Sequence, residues 1–387
     1  MTASVLQFDP IRLPPECQAL RQEVREFLNE EIAAGTFDPM SKDEASSFNR
    51  PFGKRVAAKG WIGITLPKKY GGQERSFLER YVITEEFRAV AAPTSSYFTA
   101  DRQSGPTIMK YGHEDIKNEI LPAIISGDCT FCIGMSEPGS GSDLFGATTR
   151  ATKTDGGYLI NGAKIWTSNA HNADYMIGLF RTAPPSKENR REGLTQFVVP
   201  MRTPGITPNP VINMVGRHEF NEVVFEDAFV EDKYVMGEPG QAWKQATSEL
   251  AYERSGPERF LETYYILSEM VRVLGDEPDL RGSEGIGRLV AQLHTLRRMS
   301  VSVNGMLAEG LEPTLQGSIV KNLGTLWEQA LPAKARDLAA FALPTASNQQ
   351  SFEHLLEFAT TIAPKLTIQG GTTEILNGII ARGLGLR

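Results

Sequence analysis

The sequence predicts an α+β protein in which a strand-rich middle segment separates two helical segments. Apolar residues recur at helical spacing near the start of the chain, and β-branched and aromatic runs follow Gly127. Helical spacing resumes at Gln241. Because the strands are clustered rather than alternating with helices, the order does not indicate a doubly wound sheet. We expect a helical bundle built from both chain ends and a separate β domain, with domains spanning 1–128, 129–238 and 239–387.

The N-terminal segment is predicted to be mainly helical. A helix is expected from Pro14 to about Ile32, with proline at the start, where its missing N–H does no harm. The runs SFLERYVITEEFRAV and DIKNEILPAII predict two further helices. Between them, GWIGITLPKKYGG indicates a loop-rich apolar connection.

The middle segment predicts a hairpin and several further strands. In GATTRATKTDGGYLINGAKIWTSN, strand-forming residues flank Asp155-Gly156-Gly157, which is a strong hairpin signal. The runs LTQFVVPM and EFNEVVFEDAFV continue the strand pattern to about Asp232.

The C-terminal segment predicts a long helix followed by three or four shorter ones. The long run is AWKQATSELAYERSGPERFLETYYILSEMVRVL, in which Pro257 must kink the helix or lie near its beginning. The block Gly275–Gly287 is predicted to be a loop, and TTEILNGIIARGLG is the last helix.

Composition excludes several classes of function. The 387 residues carry a net charge of -7, and Lys and Arg are dispersed, which argues against a nucleic-acid binder. No apolar run reaches the ~20 residues that a spanning helix needs, so no membrane insertion is expected. The opening MTASVLQFDP lacks the pattern of a secretory signal, and we therefore expect a cytoplasmic location.

The cysteines and histidines do not predict a metal site. Cys129 and Cys132 form a C-x-x-C pair, but no second ligand pair follows at a suitable spacing. The surrounding GDCTFCIGM indicates an apolar strand in which cysteine acts as a small hydrophobe. The five histidines are scattered, and we expect no metal.

A glycine-serine segment, GMSEPGSGSD at 134–143, is the most informative stretch. Tight glycine turns expose backbone N–H groups that can cradle phosphate oxygens. The segment is neither a G-x-G-x-x-G nor a Walker motif. Taken alone, such a segment is more often an ordinary loop between strands.

Four segments together resemble the acyl-CoA dehydrogenase family. Met-Ser-Glu-Pro-Gly-Ser-Gly-Ser-Asp at 135–143 is similar to its first signature, and NGAKIWTSN at 161–169 resembles its second flavin segment. GGTTEI at 370–375 with IIARGLG resembles its last helix, and GWIGITLPKKYGG its N-terminal domain. The resemblance covers nearly the whole chain in order. It implies an N-terminal helical domain, a barrel-like middle β domain and a C-terminal helical bundle.

The resemblance implies FAD as the cofactor and identifies residues that contact it. Met135, Ser136 and Ser142 are expected to touch FAD. Trp166 is expected to lie against the flavin face opposite the substrate, and Ser168 to hydrogen-bond near N5. Without the neighbouring signature, Trp166 would be predicted to be an ordinary core aromatic of a strand.

The expected position of the catalytic base is altered. Most of the family carries a glutamate immediately before the Gly-Thr of the final segment, where this chain has Gly370. A minority, resembling the isovaleryl and long-chain branches, carries the base on a C-terminal helix, where this chain has Glu253 followed by Arg254. We predict Glu253 as the base in preference to Glu374, with Arg254 positioning substrate or cofactor. Gly370 can still bind the thioester carbonyl through its backbone N–H.

Two segments that reach FAD in a neighbouring subunit of the family are weak. The place of Arg-x-x-Phe-Gly is taken by Arg281–Gly285, and that of Gln-x-x-Gly-Gly-x-Gly by FALPTASNQQ at 341–350. This pattern suits a heteromer whose partner, a related dehydrogenase subunit, supplies the missing contacts. The alternative is a homo-oligomer that binds FAD with substituted residues.

The implied reaction is the FAD-dependent α,β-dehydrogenation of an acyl-CoA to the 2-enoyl-CoA, with electrons passed to an electron-transfer flavoprotein. One alternative keeps the fold but makes the protein a flavin oxidase or monooxygenase. Another is a non-catalytic subunit of a heteromeric dehydrogenase. Gly370 and the weak neighbour-reaching segments favour the last alternative, whereas the intact flavin segments and Glu253 oppose it.

Overall fold

The structure is a computed structural model that describes residues 6–39, 47–185, 189–242, 245, 254–340 and 346–386. The chain divides into two compact units. The first unit combines Met1–Ser46, Ser76–Ala92 and Leu250–Arg387, and the second combines Ser47–Arg75 and Pro93–Glu249. The three-domain division at residues 128 and 238 stays a prediction.

Ten α-helices and eight strands lie in the described part of the chain. The helices are α1 (Pro15–Ala33), α2 (Arg50–Ala58), α3 (Phe77–Ala89), α4 (Gly105–Tyr111), α5 (Glu114–Ile125), α6 (Tyr264–Leu274), α7 (Leu280–Ala308), α8 (Thr314–Ala339), α9 (Ala346–Leu366) and α10 (Thr373–Gly383). The strands are β1 (Phe131–Gly134), β2 (Arg150–Thr154), β3 (Gly157–Ser168), β4 (Tyr175–Arg181), β5 (Leu194–Pro200), β6 (Ile206–Ile212), β7 (His218–Glu231) and β8 (Val235–Met236). The predicted α+β class is confirmed.

The first unit is a helical bundle that combines both ends of the chain, as predicted. Helix α3 contacts α1 and α7, and α8 contacts α6, α7, α9 and α10. The buried core is apolar and includes Phe260, Ile266, Met270, Leu331 and Leu355. A buried ion network adds to it, because the Glu85 carboxylate accepts from both Arg21 at 2.8 Å and Arg297 at 2.7 Å.

The helices predicted near the chain start are confirmed, and their ends follow local chemistry. Helix α1 begins with proline at its first position. Helix α3 begins with a capping box, in which the Ser76 hydroxyl accepts from the Glu79 N–H at 3.2 Å and the Glu79 carboxylate accepts from the Ser76 N–H at 2.8 Å. These local bonds explain why the N-terminal helices could be recognised from sequence.

The second unit contains one sheet, ordered β6-β7-β3-β2-β4-β5-β8, with β1 beside β4. The predicted hairpin is present, because Thr154 pairs with Gly157 and Gly156 has a φ of 71° in the two-residue turn. The prediction that the middle sheet is barrel-like is wrong. Within the described residues β6 and β8 do not pair with each other, and the sheet stays open. Strand β6 carries Pro208 and Pro210, which lack the N–H that a further strand would need, and β8 has only two residues.

The predicted loop Gly275–Gly287 is wrong over most of its length. Helix α7 already begins at Leu280, where the Asp279 carboxylate accepts from the Gly282 N–H at 2.7 Å and caps the helix. The glycine at 285 serves close packing, because a Cβ added there would lie 2.5 Å from Leu338 Cδ2. Gly285, which allows close contact between helices, was therefore wrongly interpreted as a loop residue.

The long helix predicted after Gln241 is interrupted. Pro257 opens a 3₁₀ turn, Pro257–Arg259, and α6 does not begin until Tyr264. Part of the predicted run, including 246–253, lies outside the described residues. None of the described helices combines the length and the apolar character needed to cross a bilayer.

Candidate functional site

The glycine-serine loop after β1 is held by a buried carboxylate. The Glu137 side chain accepts hydrogen bonds from the backbone N–H groups of Thr148 at 2.7 Å and Thr149 at 3.0 Å. It also accepts from Lys164 Nζ on β3 at 2.7 Å, and both charged side chains are almost completely buried. Glu137 therefore joins the first family-like segment to the second, a role that the sequence analysis missed although both residues lie inside the quoted motifs.

The buried pair is electrostatically matched. Burial alone raises the pKa of Glu137, but the Lys164 charge and the hydrogen-bond donors outweigh it and bring the pKa to about 2. For Lys164, burial lowers the pKa and the Glu137 charge opposes that shift. Breaking such a pair would leave an uncompensated buried charge, which costs about 3–5 kcal/mol of stability. The loop is thus firmly anchored to the sheet.

Trp166 lies on a β-bulge that turns its indole outward. Two residues, Ile165 and Trp166, stand opposite the single Glu222 in the β3–β7 pairing. Trp166 has a φ of 59°, an unfavourable value for a bulky side chain, and is 58% exposed. Its ring meets Phe220 edge-on with centroids 5.9 Å apart. Strain and apolar exposure at one residue indicate a functional surface.

The bulge is supported from the neighbouring strand. The Asn221 amide nitrogen donates to the Thr167 carbonyl at 3.1 Å. The Asn221 oxygen lies 2.9 Å from His218 Nε2 and 3.2 Å from His171 Nδ1, and the two imidazoles stack with centroids 4.0 Å apart. Burial, followed by the charge of His218, lowers the pKa of His171. These histidines buttress the bulge rather than forming a metal site.

The five predicted cofactor-contacting residues lie in two segments, 135–143 and 161–169, that contact one another. The Ser136 carbonyl accepts from the Ile165 N–H at 2.9 Å, next to Trp166. Met135 is half-buried against a cluster that includes Ala147 and Leu179. Ser168 is exposed near the end of β3.

Ser142 is exposed in the glycine-serine loop. A Cβ added at Gly139 or Gly141 in that loop would meet no atom within 4 Å, so the loop surface is open. An outward indole, exposed serine hydroxyls and an open glycine loop fit a planar aromatic ring with polar substituents, and hence a flavin.

The predicted base, Glu253, lies outside the described residues. Its neighbour Arg254 is buried in the first unit, where Nε donates to the Gly370 carbonyl at 3.2 Å and Nη1 to Ser318 Oγ at 3.2 Å. Lys321 Nζ donates to the Gly371 carbonyl at 2.7 Å. The structure therefore brings Arg254 and Gly370 together. Ser318 and Lys321 were missed, and their only sequence signal is a lysine within the apolar run SIVKNLGTLW.

The competing carboxylate, Glu374, is exposed in the first turn of α10. Hydrogen bonds from its own backbone N–H and from Thr372 lower its pKa. A carboxylate with a lowered pKa is a weaker proton acceptor. Its position therefore favours a capping role at the helix start.

The two cysteines of the C-x-x-C pair are buried in the structure. Burial raises the pKa of Cys129 to about 12 and also raises that of Cys132, which makes both thiols unreactive. Among the residues that the structure describes, no group of three or more acidic, histidine or cysteine side chains could hold a metal ion. A cavity of about 410 Å³ beside His171 is lined by Arg50 and Asp174, which are already paired with each other at 2.9 Å.

Known proteins share both the sequence pattern and the fold. Models of the acyl-CoA dehydrogenase N-terminal and middle domains match residues 14–128 and 132–228. The acyl-CoA dehydrogenase IpdE1 of Mycobacterium tuberculosis is 31% identical over 385 residues, covering 96% of this chain and 98% of its own.

Two solved structures are also similar. The Tcur3481-Tcur3483 steroid ACAD has a TM-score of 0.81 at 27% identity, with 97% of this chain and 98% of that chain covered. The ChsE4-ChsE5 complex from Mycobacterium tuberculosis has a TM-score of 0.81 at 27% identity, with 98% of this chain and 100% of that chain covered. With the anchored glycine-serine loop and the outward tryptophan, these matches show that the chain belongs to the acyl-CoA dehydrogenase family, whose enzymes are flavoproteins that act on CH–CH bonds.

Proposed function

We propose that this chain catalyses FAD-dependent α,β-dehydrogenation of an acyl-CoA thioester to the 2-enoyl-CoA. Electrons are then passed to an electron-transfer flavoprotein. The observation that carries the proposal is Trp166, which a strained bulge presents outward beside the loop anchored by Glu137. An exposed aromatic of this kind has little value for stability and a clear use as a stacking surface.

Each residue has a defined part in the proposed reaction. FAD, when bound, supplies the acceptor for the substrate β-hydride. Glu253 removes the α-proton, which is weakly acidic beside a thioester. The Gly370 N–H donates to the thioester carbonyl and stabilises the charge that develops there. Trp166 would offer its exposed indole as a stacking surface for the flavin, and Ser168 would offer a hydroxyl for hydrogen bonding to it.

The substrate class that we propose to test first is a bulky, steroid-derived acyl-CoA. Support comes from the similar structure described as a steroid ACAD, which is 27% identical to this chain. A base carried on a helix, rather than beside the last helix, is compatible with branched or bulky substrates.

We also propose a heteromeric assembly with a related dehydrogenase subunit. The segments expected to reach a neighbour's FAD differ from the family pattern, and Arg281–Gly285 lies in helix α7 rather than in a loop. The similar ChsE4-ChsE5 structure is itself a complex of two chains. A partner could supply the contacts that this chain lacks.

The decisive experiment is anaerobic titration of the purified yellow protein, alone or with its partner, against a panel of acyl-CoA thioesters. The panel contains a steroid side-chain acyl-CoA, isovaleryl-CoA and octanoyl-CoA. We expect bleaching of the flavin bands by at least one thioester and formation of the matching enoyl-CoA. If FAD binds but none of the thioesters bleaches it, the proposed reaction is contradicted.

The same preparation separates the dehydrogenase from the oxidase alternative. After bleaching, air is admitted and the return of flavin absorbance is followed. A dehydrogenase reoxidises slowly in air and rapidly with an electron-transfer flavoprotein. Rapid reoxidation by oxygen alone would favour an oxidase or monooxygenase.

A further inference from the structure

Two buried cationic side chains hold the turn before the last helix. Arg254 is 3% exposed and Lys321 is fully buried. Arg254 Nε donates to the Gly370 carbonyl at 3.2 Å, and Lys321 Nζ donates to the Gly371 carbonyl at 2.7 Å. Two consecutive peptide carbonyls are thus each fixed by a charge-assisted hydrogen bond, the stronger class of hydrogen bond.

Helix α8 provides the base of this arrangement. Ser318 and Lys321 are three residues apart and therefore lie on the same face of the helix. Arg254 Nη1 donates to Ser318 Oγ at 3.2 Å, and the Ser318 hydroxyl in turn donates to the Thr314 carbonyl at 2.7 Å. Asn322 further links α8 to α10 through Asn377 at 3.0 Å. These hydrogen bonds therefore fix the position of the turn relative to the long helix α8.

Such fixing matters because the turn consists of glycines. Gly370 and Gly371 have φ values of 69° and 102°, in the region that favours glycine. Glycine is also the residue with the greatest backbone freedom, so an unrestrained Gly-Gly turn would sample many orientations. Within the described part of the chain, neither glycine N–H donates to a backbone carbonyl. The carbonyl oxygens of both glycines are held by side chains, whereas no backbone carbonyl of the described residues holds their N–H groups.

We propose that Arg254 and Lys321 are positioning residues that fix the Gly370–Gly371 turn so that its backbone N–H groups hold the thioester carbonyl oxygen. This inference depends on the proposed dehydrogenase function and deepens it. It gives Arg254 a role through the turn rather than through contact with the substrate. The Gly370 carbonyl and the Gly371 N–H belong to the same peptide unit, so the hydrogen bond to that carbonyl also polarises the Gly371 N–H and strengthens it as a donor.

The test compares Lys321→Met with Lys334→Met in the FAD-loaded enzyme, with its partner if one is required. Both changes remove one lysine from α8, but Lys334 is exposed and lies 13 residues beyond Lys321 along the helix. We expect Lys321→Met to slow flavin bleaching by the best thioester of the panel roughly 10²-fold, as expected for a misplaced reacting group. Lys334→Met should bleach at the wild-type rate.

A spectroscopic readout separates positioning from a merely structural role. The probe is the matching enoyl-CoA carrying ¹³C at the thioester carbon, and the measurement is its carbonyl stretch in the bound state. We expect the stretch in Lys321→Met to move from the wild-type value towards that of the free thioester. Ser318→Ala removes one hydrogen bond to Arg254 and should shift the carbonyl stretch in the same direction by a smaller amount. If Lys321→Met does not fold, the stretch in Ser318→Ala tests the positioning role.

The outcomes are distinct. An unchanged stretch and unchanged bleaching in the folded variants overturn the positioning role, even if their melting temperature falls. If the wild-type flavin is not bleached by any thioester, the proposed function fails instead, and no comparison of variants is then needed.

Discussion

At the scale of single residues, Trp166 combines two unfavourable features, backbone strain and an exposed apolar side chain, which are not expected of a purely structural residue. It occupies a left-handed backbone conformation and exposes most of its indole. Left-handed conformations of non-glycine residues cost about 1–3 kcal/mol and persist where the surrounding structure imposes them. Here Asn221, through the Thr167 carbonyl, provides that restraint.

This residue gives the first prediction. Trp166→Gly and Trp166→Ala both remove the stacking surface, and both should weaken FAD binding roughly 2- to 12-fold, since an aromatic contact contributes about 0.5–1.5 kcal/mol. Only glycine relieves the backbone strain, so the Gly variant should be more stable than the Ala variant by about 1 kcal/mol. Flavin titration and denaturant unfolding of the apo protein measure the two effects. Wild-type FAD affinity in both variants would show that the indole does not support the flavin.

At the scale of elements, the buried Glu137–Lys164 pair joins a loop to strand β3. The pair predicts a specific dependence of stability on pH. The folded-state pKa of Glu137, about 2, lies below its ordinary value of 4.5. Its contribution is therefore complete above pH 4.5 and is lost as pH falls towards 2.

The matching variants are Glu137→Gln and Asp143→Asn. The first leaves Lys164 buried without its counter-charge and should lower the free energy of unfolding by about 3–5 kcal/mol. The second breaks only the exposed Asp143–Arg190 pair in the same loop and should cost less than about 1 kcal/mol. Urea unfolding at pH 6 and pH 3.5 measures both. Equal losses in the two variants would contradict the anchoring role of Glu137.

The elements also show what the sequence could and could not predict. The Asp155-Gly156 turn and the helix capped by Ser76 depend on local sequence, so short-range chemistry was enough to predict them. The bulge at Trp166 depends on a partner strand, and the glycine at 285 depends on contact with Leu338. Such tertiary causes leave no local signal.

At the scale of the whole molecule, the bundle formed by both chain ends was predictable because helical and strand-rich segments are separated along the sequence. The open edge of the sheet could not be predicted, because it depends on the prolines of β6 and the short length of β8. The candidate flavin-binding residues were identified by motif, whereas the holding of the Gly370–Gly371 turn by Lys321 was not. That contact joins residues 50 positions apart.

Assembly gives a prediction at this scale. The isolated chain should bind FAD weakly or below one per chain, because the neighbour-reaching segments around Arg281 and Ala346 depart from the family pattern. Co-expression with a related dehydrogenase subunit should raise the FAD content. Absorbance per chain after gel filtration gives the stoichiometry. One tightly held FAD per chain in a pure homo-oligomer would rule out the need for a partner.

The central claim, dehydrogenation with Glu253 as the base, is tested most directly by anaerobic flavin bleaching in Glu253→Gln beside Glu374→Gln. Both changes keep the size of the side chain and remove its capacity to accept a proton, and FAD binding should survive in both. We predict that Glu253→Gln slows bleaching roughly 10²–10⁴-fold, the usual contribution of a positioned general base, while Glu374→Gln stays close to wild type. Bleaching at the wild-type rate in Glu253→Gln would contradict the account, whether or not Glu374→Gln is slowed.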